Sequence, residues 1–235
     1  MWAFFRTFAA EIAIIVMIDI SLKAALFDLD GVVFDTEPQY TIFWGGVCRH
    51  YHPDEPGLEH RIKGQTLTQI FDGHFAGMEE EQKTIVERLN EFEQHMDFCY
   101  VEGFLSFLTD LRRHGVKTAV VTSSNVPKMQ SVYQSHEEFR SLFDAILTSE
   151  DFEHSKPHPD CYLKAAAKFG LQSNKCVVFE DSFNGLKAGM AAGMTVVGLA
   201  TTNTAEAIKP HCHRVITDYR GWDFERFSRL NAVEG

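Results

Sequence analysis

The stretch "LKAALFDLDGVVFDTEP", residues 22–38, decides the fold. Its apolar opening runs into two aspartates one residue apart, Asp28 and Asp30, followed at once by Gly31 and a second apolar pair. An apolar run that does not alternate suits a strand buried on both faces of a parallel sheet. Four later runs resemble it, at residues 117–122, 145–148, 176–180 and 195–199. Helical patterns separate them, at residues 127–134, 160–169 and 182–192. The alternation predicts an α/β fold with a Rossmann-like parallel sheet and right-handed crossovers.

One long gap breaks this rhythm. Residues 36–102 carry no strand pattern, and "MEEEQKTIVERLNEFEQHM" (residues 78–96) places Ile85, Leu89 and Phe92 at helical spacing with a charged face opposite. The expected organisation is therefore an α/β core from residues 22–35 and 103–235, with a small all-helical cap at residues 36–102 over the carboxyl edge of the sheet. Residues 1–21 read as an N-terminal extension. Glu11 splits their apolar stretch, no small-residue cleavage pattern follows, and a membrane span needs about 20 apolar residues. Met17 lies just before the fold, so residues 1–16 are expected to be an upstream extension or a start-site artefact.

Composition narrows the function classes. The 235 residues are 45% apolar, enough for a substantial core, which argues against disorder. The formal charge is -11, with 33 acidic and 22 basic residues and no basic block to track a phosphate backbone, so neither nucleic acid nor a membrane is an expected partner. Five widely spaced cysteines without a C-x-x-C pair suit a reducing, cytoplasmic setting.

Ligands of open α/β sheets bind beyond the carboxyl ends of the strands, so the polar residues there belong together. The first strand ends in Asp28 and Asp30, and the second in Thr122, Ser123, Ser124 and Asn125 ("VVTSSN"). Lys156 ("SKPHPD") follows the third, and the fourth ends in Glu180 and Asp181 ("VVFEDS"). So many carboxylates stay ionised together in a low-dielectric pocket only beside a cation. Mg2+ is the simplest one, a hard ion that takes oxygen ligands and a substrate phosphate. Lys156 supplies charge and Thr122 a hydroxyl, which makes the set a phosphoryl-transfer site.

These four ordered motifs resemble the haloacid dehalogenase superfamily: D-x-D-G-V at residues 28–32, then Thr122, Lys156, and Glu180 with Asp181. The resemblance implies that Asp28 is the nucleophile that forms an aspartyl-phosphate and that Asp30 is the general acid and base. It also implies that Asp28, the Asp30 backbone carbonyl and Asp181 hold Mg2+, with Glu180 assisting. The second aspartate argues against the metal-free dehalogenases that name the superfamily.

A helical insert after motif one resembles the branch that includes β-phosphoglucomutase and the sugar-phosphate phosphatases. "RIKGQTLTQIF" (residues 61–71) is similar to their K-G-x-S/T cap loop, placing Lys63, Gly64 and Thr66 over the site, although Lys63 and Thr66 read equally well as solvating and capping a helix. The mutase holds a second phosphate with an arginine of this loop and a lysine after motif two. Those positions align here with Leu67 and with Asn125 beside Val126, while Tyr40 stands at a cap-helix histidine. With "DTEP" at residues 35–38, similar to the D-S-E-P of phosphatases, the resemblance implies hydrolysis of a small phosphorylated metabolite, a sugar or polyol phosphate, by a monomer or weak homodimer. The alternatives are a β-phosphoglucomutase and a catalytically dead phosphosugar sensor.

Two further patterns take structural readings. "HCH" at residues 211–213 is too compact to ligate zinc and lacks a fourth ligand nearby. Gly185, Gly189 and Gly193 recur every fourth residue, as expected for close helix-to-sheet packing with a C-cap at Gly193. The start-site expectation is checked by N-terminal sequencing of protein made from its natural promoter: a start at Met17 is expected, and retained Met1 contradicts it.

Overall fold

A computed structural model describes residues 22–63 and 65–231, which leaves the N-terminal extension and Gly64 outside the described residues. The chain opens with β1 (Ala24–Phe27) and continues through four helices, α1 (Glu37–Tyr51), α2 (Leu58–Arg61), α3 (Leu67–His74) and α4 (Glu79–Gln94). Next come α5 (Phe104–Arg113), β2 (Lys117–Val121), α6 (Val126–Ser135), α7 (Phe139–Leu142), β3 (Ala145–Leu147), α8 (Asp160–Lys168) and β4 (Cys176–Glu180). α9 (Phe183–Ala191), β5 (Thr195–Leu199), α10 (Ala205–Ile208), β6 (Arg214–Ile216) and α11 (Phe224–Ser228) complete it.

The six strands form one sheet in the order β3-β2-β1-β4-β5-β6, every pairing parallel. β1 is buried along its whole length, as an apolar run without alternation requires. Because successive side chains point to opposite faces, β1 serves two cores at once. Ala25 and Phe27 pack with Phe104, Phe107 and Val132 on one face, while Ala24 and Leu26 pack with Cys161, Tyr162, Ala165 and Leu186 on the other. α1 to α4 gather a third cluster of their own around Trp44, Val47, Leu58, Ile70, Phe75 and Ile85.

The five expected strands are present. β6 and α5 have no counterpart among the sequence expectations: β6 is three residues long and only partly buried, too short for a periodic signal. The glycine expectation holds at Gly189, while the C-cap of α9 is Ala192 and Gly193 follows it at a φ of +69°. A Cβ at Gly189 would lie 2.9 Å from Val196 Cγ2 and 3.1 Å from Val178 Cγ1, so the missing side chain lets α9 settle on β4 and β5. In "HCH", His213 Nδ1 accepts the Val196 N–H at 2.9 Å, tying this segment to β5.

Phe27 is the hub of the first core. Its ring stacks on Phe179 at 4.8 Å between centroids and meets Phe104 edge-on at 5.3 Å. Phe27→Ala is expected to cost about 3–5 kcal/mol of stability, read from urea denaturation with an unchanged slope. A loss below about 1 kcal/mol contradicts this packing.

Candidate active site

β1 lies beside β2 on one side and β4 on the other, and the chain reverses its direction of travel across the sheet between β1 and β4. Such a switch point opens a crevice at the carboxyl ends of the strands. Asp28 follows β1 directly, with its N–H donating to Phe179 O at 3.0 Å, and Asp181 follows β4. Both side chains are buried. The chain then turns at Gly31, whose φ of +70° favours glycine and whose added Cβ would sit 2.1 Å from Asp181 Oδ2. Any larger residue would push the second aspartate away from the first.

Lys156, 5% exposed, reaches into the crevice from the loop after β3. Its ammonium donates to Asp28 Oδ1 at 2.6 Å, Glu180 Oε1 at 2.7 Å and Val121 O at 3.0 Å, which engages all three donors. Burial alone would lower the lysine pKa, but the Asp28 and Glu180 carboxylates override it and hold the pKa well above the ordinary value.

Glu180 is fully buried. Oε1 also accepts the Tyr162 hydroxyl at 3.0 Å, and Oε2 accepts the Asp181 N–H, the Ser182 N–H and the Ser182 hydroxyl at 3.0–3.1 Å. A Cβ at Gly185 would lie 1.6 Å from Oε1, so α9 presses its backbone against this carboxylate. With five donors in place, the geometry makes Glu180 the anchor of Lys156.

Asp30 is gripped by three side chains. Thr36 donates to Oδ1 at 2.7 Å, Ser124 donates to Oδ2 at 3.2 Å, and Lys128 forms an ion pair with Oδ2. Thr122 Oγ1 accepts the Ser124 N–H at 3.0 Å, and Asn125 caps α6 by accepting the Lys128 N–H at 3.0 Å. One cavity of about 450 Å³ is lined by Asp28, Asp30, Thr122, Ser123, Ser124, Asn125, Lys156 and Asp181 together with Lys63, Thr66 and Leu67. Thr66 also makes a capping box with Gln69 at the start of α3, and Lys63 lies 3.4 Å from Glu37.

The cavity corrects one sequence expectation. Alignment with the mutase predicts loss of a cation after motif two, at Asn125 and Val126. The structure puts Lys128 there instead, 4% exposed, because Asn125 starts α6 and side chains near a helix start lean back toward the N-terminus. Tyr40, Glu37 and Glu93 also line the cavity. The N-cap asparagine with Pro127 in the first turn was the signal that could have located Lys128.

The donor set fits a hard divalent cation. Carboxylate oxygens of Asp28, Glu180 and Asp181 lie within 4.8 Å of one another. Burial pushes the Asp28 carboxyl up to about 7, with Glu180 and Asp30 adding to it and Lys156 opposing. Burial, Glu180, Glu37 and Asp28 raise Asp181 well above the ordinary range. All three are carboxylate oxygen donors, which favours Mg2+ over softer metals.

A pH dependence follows. The Asp28 pKa in the folded protein lies above its ordinary value of 3.8, so without a cation the folded state takes up a proton, and this stabilisation is lost as pH rises through about 7. A divalent cation competes with that proton and restores stability on the alkaline side. Mg2+ is therefore expected to raise Tm more at about pH 8 than at about pH 6 in a thermal melt. Equal shifts, or none, contradict the site.

The family model described as haloacid dehalogenase-like hydrolase matches residues 25–199. The fructose-1-phosphate phosphatase YqaB of Escherichia coli is 28% identical over 73% of this chain and 93% of its own length. The β-phosphoglucomutase of Bacillus subtilis is 26% identical over 76% and 83%. A family IA, variant 3 hydrolase from Entamoeba histolytica shares the fold with a TM-score of 0.77 at 24% identity, covering 89% of this chain and 99% of that one. No described helix is long and apolar enough to cross a membrane. With the family match spanning well over half of its residues, this chain belongs to the haloacid dehalogenase-like hydrolases.

Proposed function

We propose that the protein is an Mg2+-dependent phosphatase of small phosphomonoesters, sugar or polyol phosphates, that works through an aspartyl-phosphate. One observation carries this reading: at the switch point of the sheet, Asp28 sits in a buried ion bridge with Lys156 while Asp30, two residues on, is held separately by Thr36, Ser124 and Lys128. Two neighbouring carboxylates with different partners can take different parts in one reaction.

In the first step an Asp28 carboxylate oxygen attacks phosphorus, the bond from phosphorus to the ester oxygen breaks, and Asp30 gives that oxygen its proton. In the second step Asp30 takes a proton from a water molecule, whose oxygen attacks phosphorus and releases Asp28 and inorganic phosphate. Splitting one hard displacement into two, with a positioned acid and base, contributes about 10²–10⁴ in rate from the proton transfers alone. Asp28, Asp181 and the Asp30 carbonyl would hold Mg2+, which supplies charge neutralisation to the phosphoryl oxygens. Glu180 keeps Lys156 in place, and Lys156 offsets the charge of Asp28. Ser123, the Thr122 hydroxyl and nearby backbone amides would donate to the phosphoryl oxygens.

Residues 36–102 act in this reading as a cap. α1, α3 and α4 place Trp44, Thr66, Leu67, Leu89 and Asn90 around the cavity, where they would contact the leaving group and exclude water. The printed activities of similar proteins include both a phosphatase and a mutase. Hydrolysis is favoured because Leu67 stands where the mutase has its loop arginine, and because Lys128 is already paired with Asp30.

A panel of phosphate esters, with and without Mg2+, tests the reading. Release of inorganic phosphate from sugar or polyol phosphates is expected, abolished by chelation and reduced ~10³-fold or more in Asp28→Asn, the scale on which loss of a nucleophile acts. Full activity of that variant refutes the mechanism. Conversion of β-glucose 1-phosphate to its 6-phosphate with trace bisphosphate supports the mutase, and tight binding without turnover supports a sensor.

A further inference from the structure

Lys128 is buried, charged and outside every motif that identifies the family. A lysine loses side-chain entropy and hydration when buried, so it persists where its charge is matched. Its match is Asp30 Oδ2. The aliphatic stem rises from the first turn of α6, and the ammonium lies 4.7 Å from the centroid of the Tyr40 ring, a cation–π distance. The Tyr40 hydroxyl in turn donates to Glu93 Oε1 at 2.7 Å. Glu93 belongs to α4, and α4 packs against α6. The lysine is thus seated by groups from α1 and α4 as well as by Asp30.

We propose that Lys128 is a positioning residue for Asp30, fixing the orientation of its carboxylate for proton transfer, and that Tyr40 and Glu93 complete the seat that holds it. This rests on the reading of Asp30 as the general acid and base. An ammonium can only donate, so it commits Oδ2 to accepting. Ser124 adds a second donor to the same oxygen. Oδ1 has a different partner, the Thr36 hydroxyl, which can donate to a carboxylate or accept from a carboxyl group. The exchangeable proton is accordingly carried on Oδ1, while Oδ2 stays anchored through both half-reactions. Without Lys128, Asp30 would keep only two hydroxyl partners and could rotate about its side-chain torsions, and misplacement of a reacting group by about 1 Å can cost 10²-fold in rate.

Leaving-group dependence separates this role from a structural one. An alkyl ester of a sugar or polyol needs its departing oxygen protonated, whereas the nitrophenolate of p-nitrophenyl phosphate departs without help. Both esters share every other step. The test measures kcat/KM for the best alkyl ester of the panel and for p-nitrophenyl phosphate, using Lys128→Met, Tyr40→Phe and Asp30→Asn.

Lys128→Met is expected to lose ~10–100-fold on the alkyl ester and less than ~3-fold on the aryl ester, a fraction of what general acid catalysis contributes. Tyr40→Phe, which removes one hydroxyl and keeps the ring, is expected to show the same selectivity with a smaller loss. Asp30→Asn sets the upper limit of the effect. If Asp30→Asn is selective while Lys128→Met loses equally on both esters, or loses nothing on the alkyl ester, the positioning role is overturned and the function stands. If Asp30→Asn itself loses equally on both, the acid–base reading of Asp30 fails, and the role of Lys128 fails with it. Because kcat/KM reports the first half-reaction, the shared second step does not enter the comparison, and an unchanged far-UV circular dichroism spectrum shows that each variant is folded.

Discussion

The ammonium of Lys156, bridging Asp28 and Glu180 at 2.6 Å and 2.7 Å, is the contact on which the rest of the site depends. Three acidic side chains, Asp28, Glu180 and Asp181, are buried within a few ångströms of one another at the centre of the sheet edge. Neutral carboxyl groups could be buried there at less cost, but they would neither attack phosphorus nor bind a cation. Losing one partner of a buried charge pair typically costs about 3–5 kcal/mol, because the other charge is left uncompensated. In the proposed reaction Lys156 keeps Asp28 usable, and Glu180, saturated by five donors, keeps Lys156 from swinging away.

The sheet supplies the rigidity this arrangement needs. Phe27 pairs in register with Phe179, so the ends of β1 and β4 are held at one level, and the residues that follow them meet at the switch point. Two glycines remove the remaining obstacles. Gly31 lets the turn after Asp28 pass against Asp181, and Gly185 lets α9 close onto Glu180. The apolar core and the polar site are therefore one construction: the strands that bury Phe27 and Phe179 also aim Asp28 and Asp181. Helices α1 to α4, with a core of their own, stand over this fixed floor and bring Tyr40, Lys63 and Glu93 to it.

Much of this was legible in the sequence, for physical reasons. Strands buried on both faces advertise themselves as continuous apolar runs, and polar residues at their ends must share the sheet edge, so Asp28, Thr122, Lys156 and Asp181 group together on the sequence alone. Lys128 does not, because alignment with the mutase searches a fixed position, whereas the side chain that reaches Asp30 depends on where α6 begins and how it is phased. Asn125 capping that helix moves the cation to the third helical residue. Glu93 escaped for a similar reason: it sits on a helix whose pattern reports an apolar face, and its partnership with Tyr40 spans the chain between α1 and α4. β6 and α5 lie outside the site; β6 is too short to carry a periodic signal, whereas the apolar spacing of Phe104, Phe107, Leu108 and Leu111 in α5 is a helical pattern that the sequence displays.

The covalent intermediate at Asp28 is the centre of this account, and rapid acid quench during turnover, followed by peptide mass spectrometry, observes it most directly. The account predicts a phosphoryl group on the peptide that contains Asp28, formed only with Mg2+ present and lost as inorganic phosphate on the time scale of turnover. A phosphoryl group on any other residue, or Mg2+-dependent turnover with none detectable on Asp28 even when Asp30→Asn slows its hydrolysis and p-nitrophenyl phosphate, which needs no acid to leave, is the substrate, would contradict it.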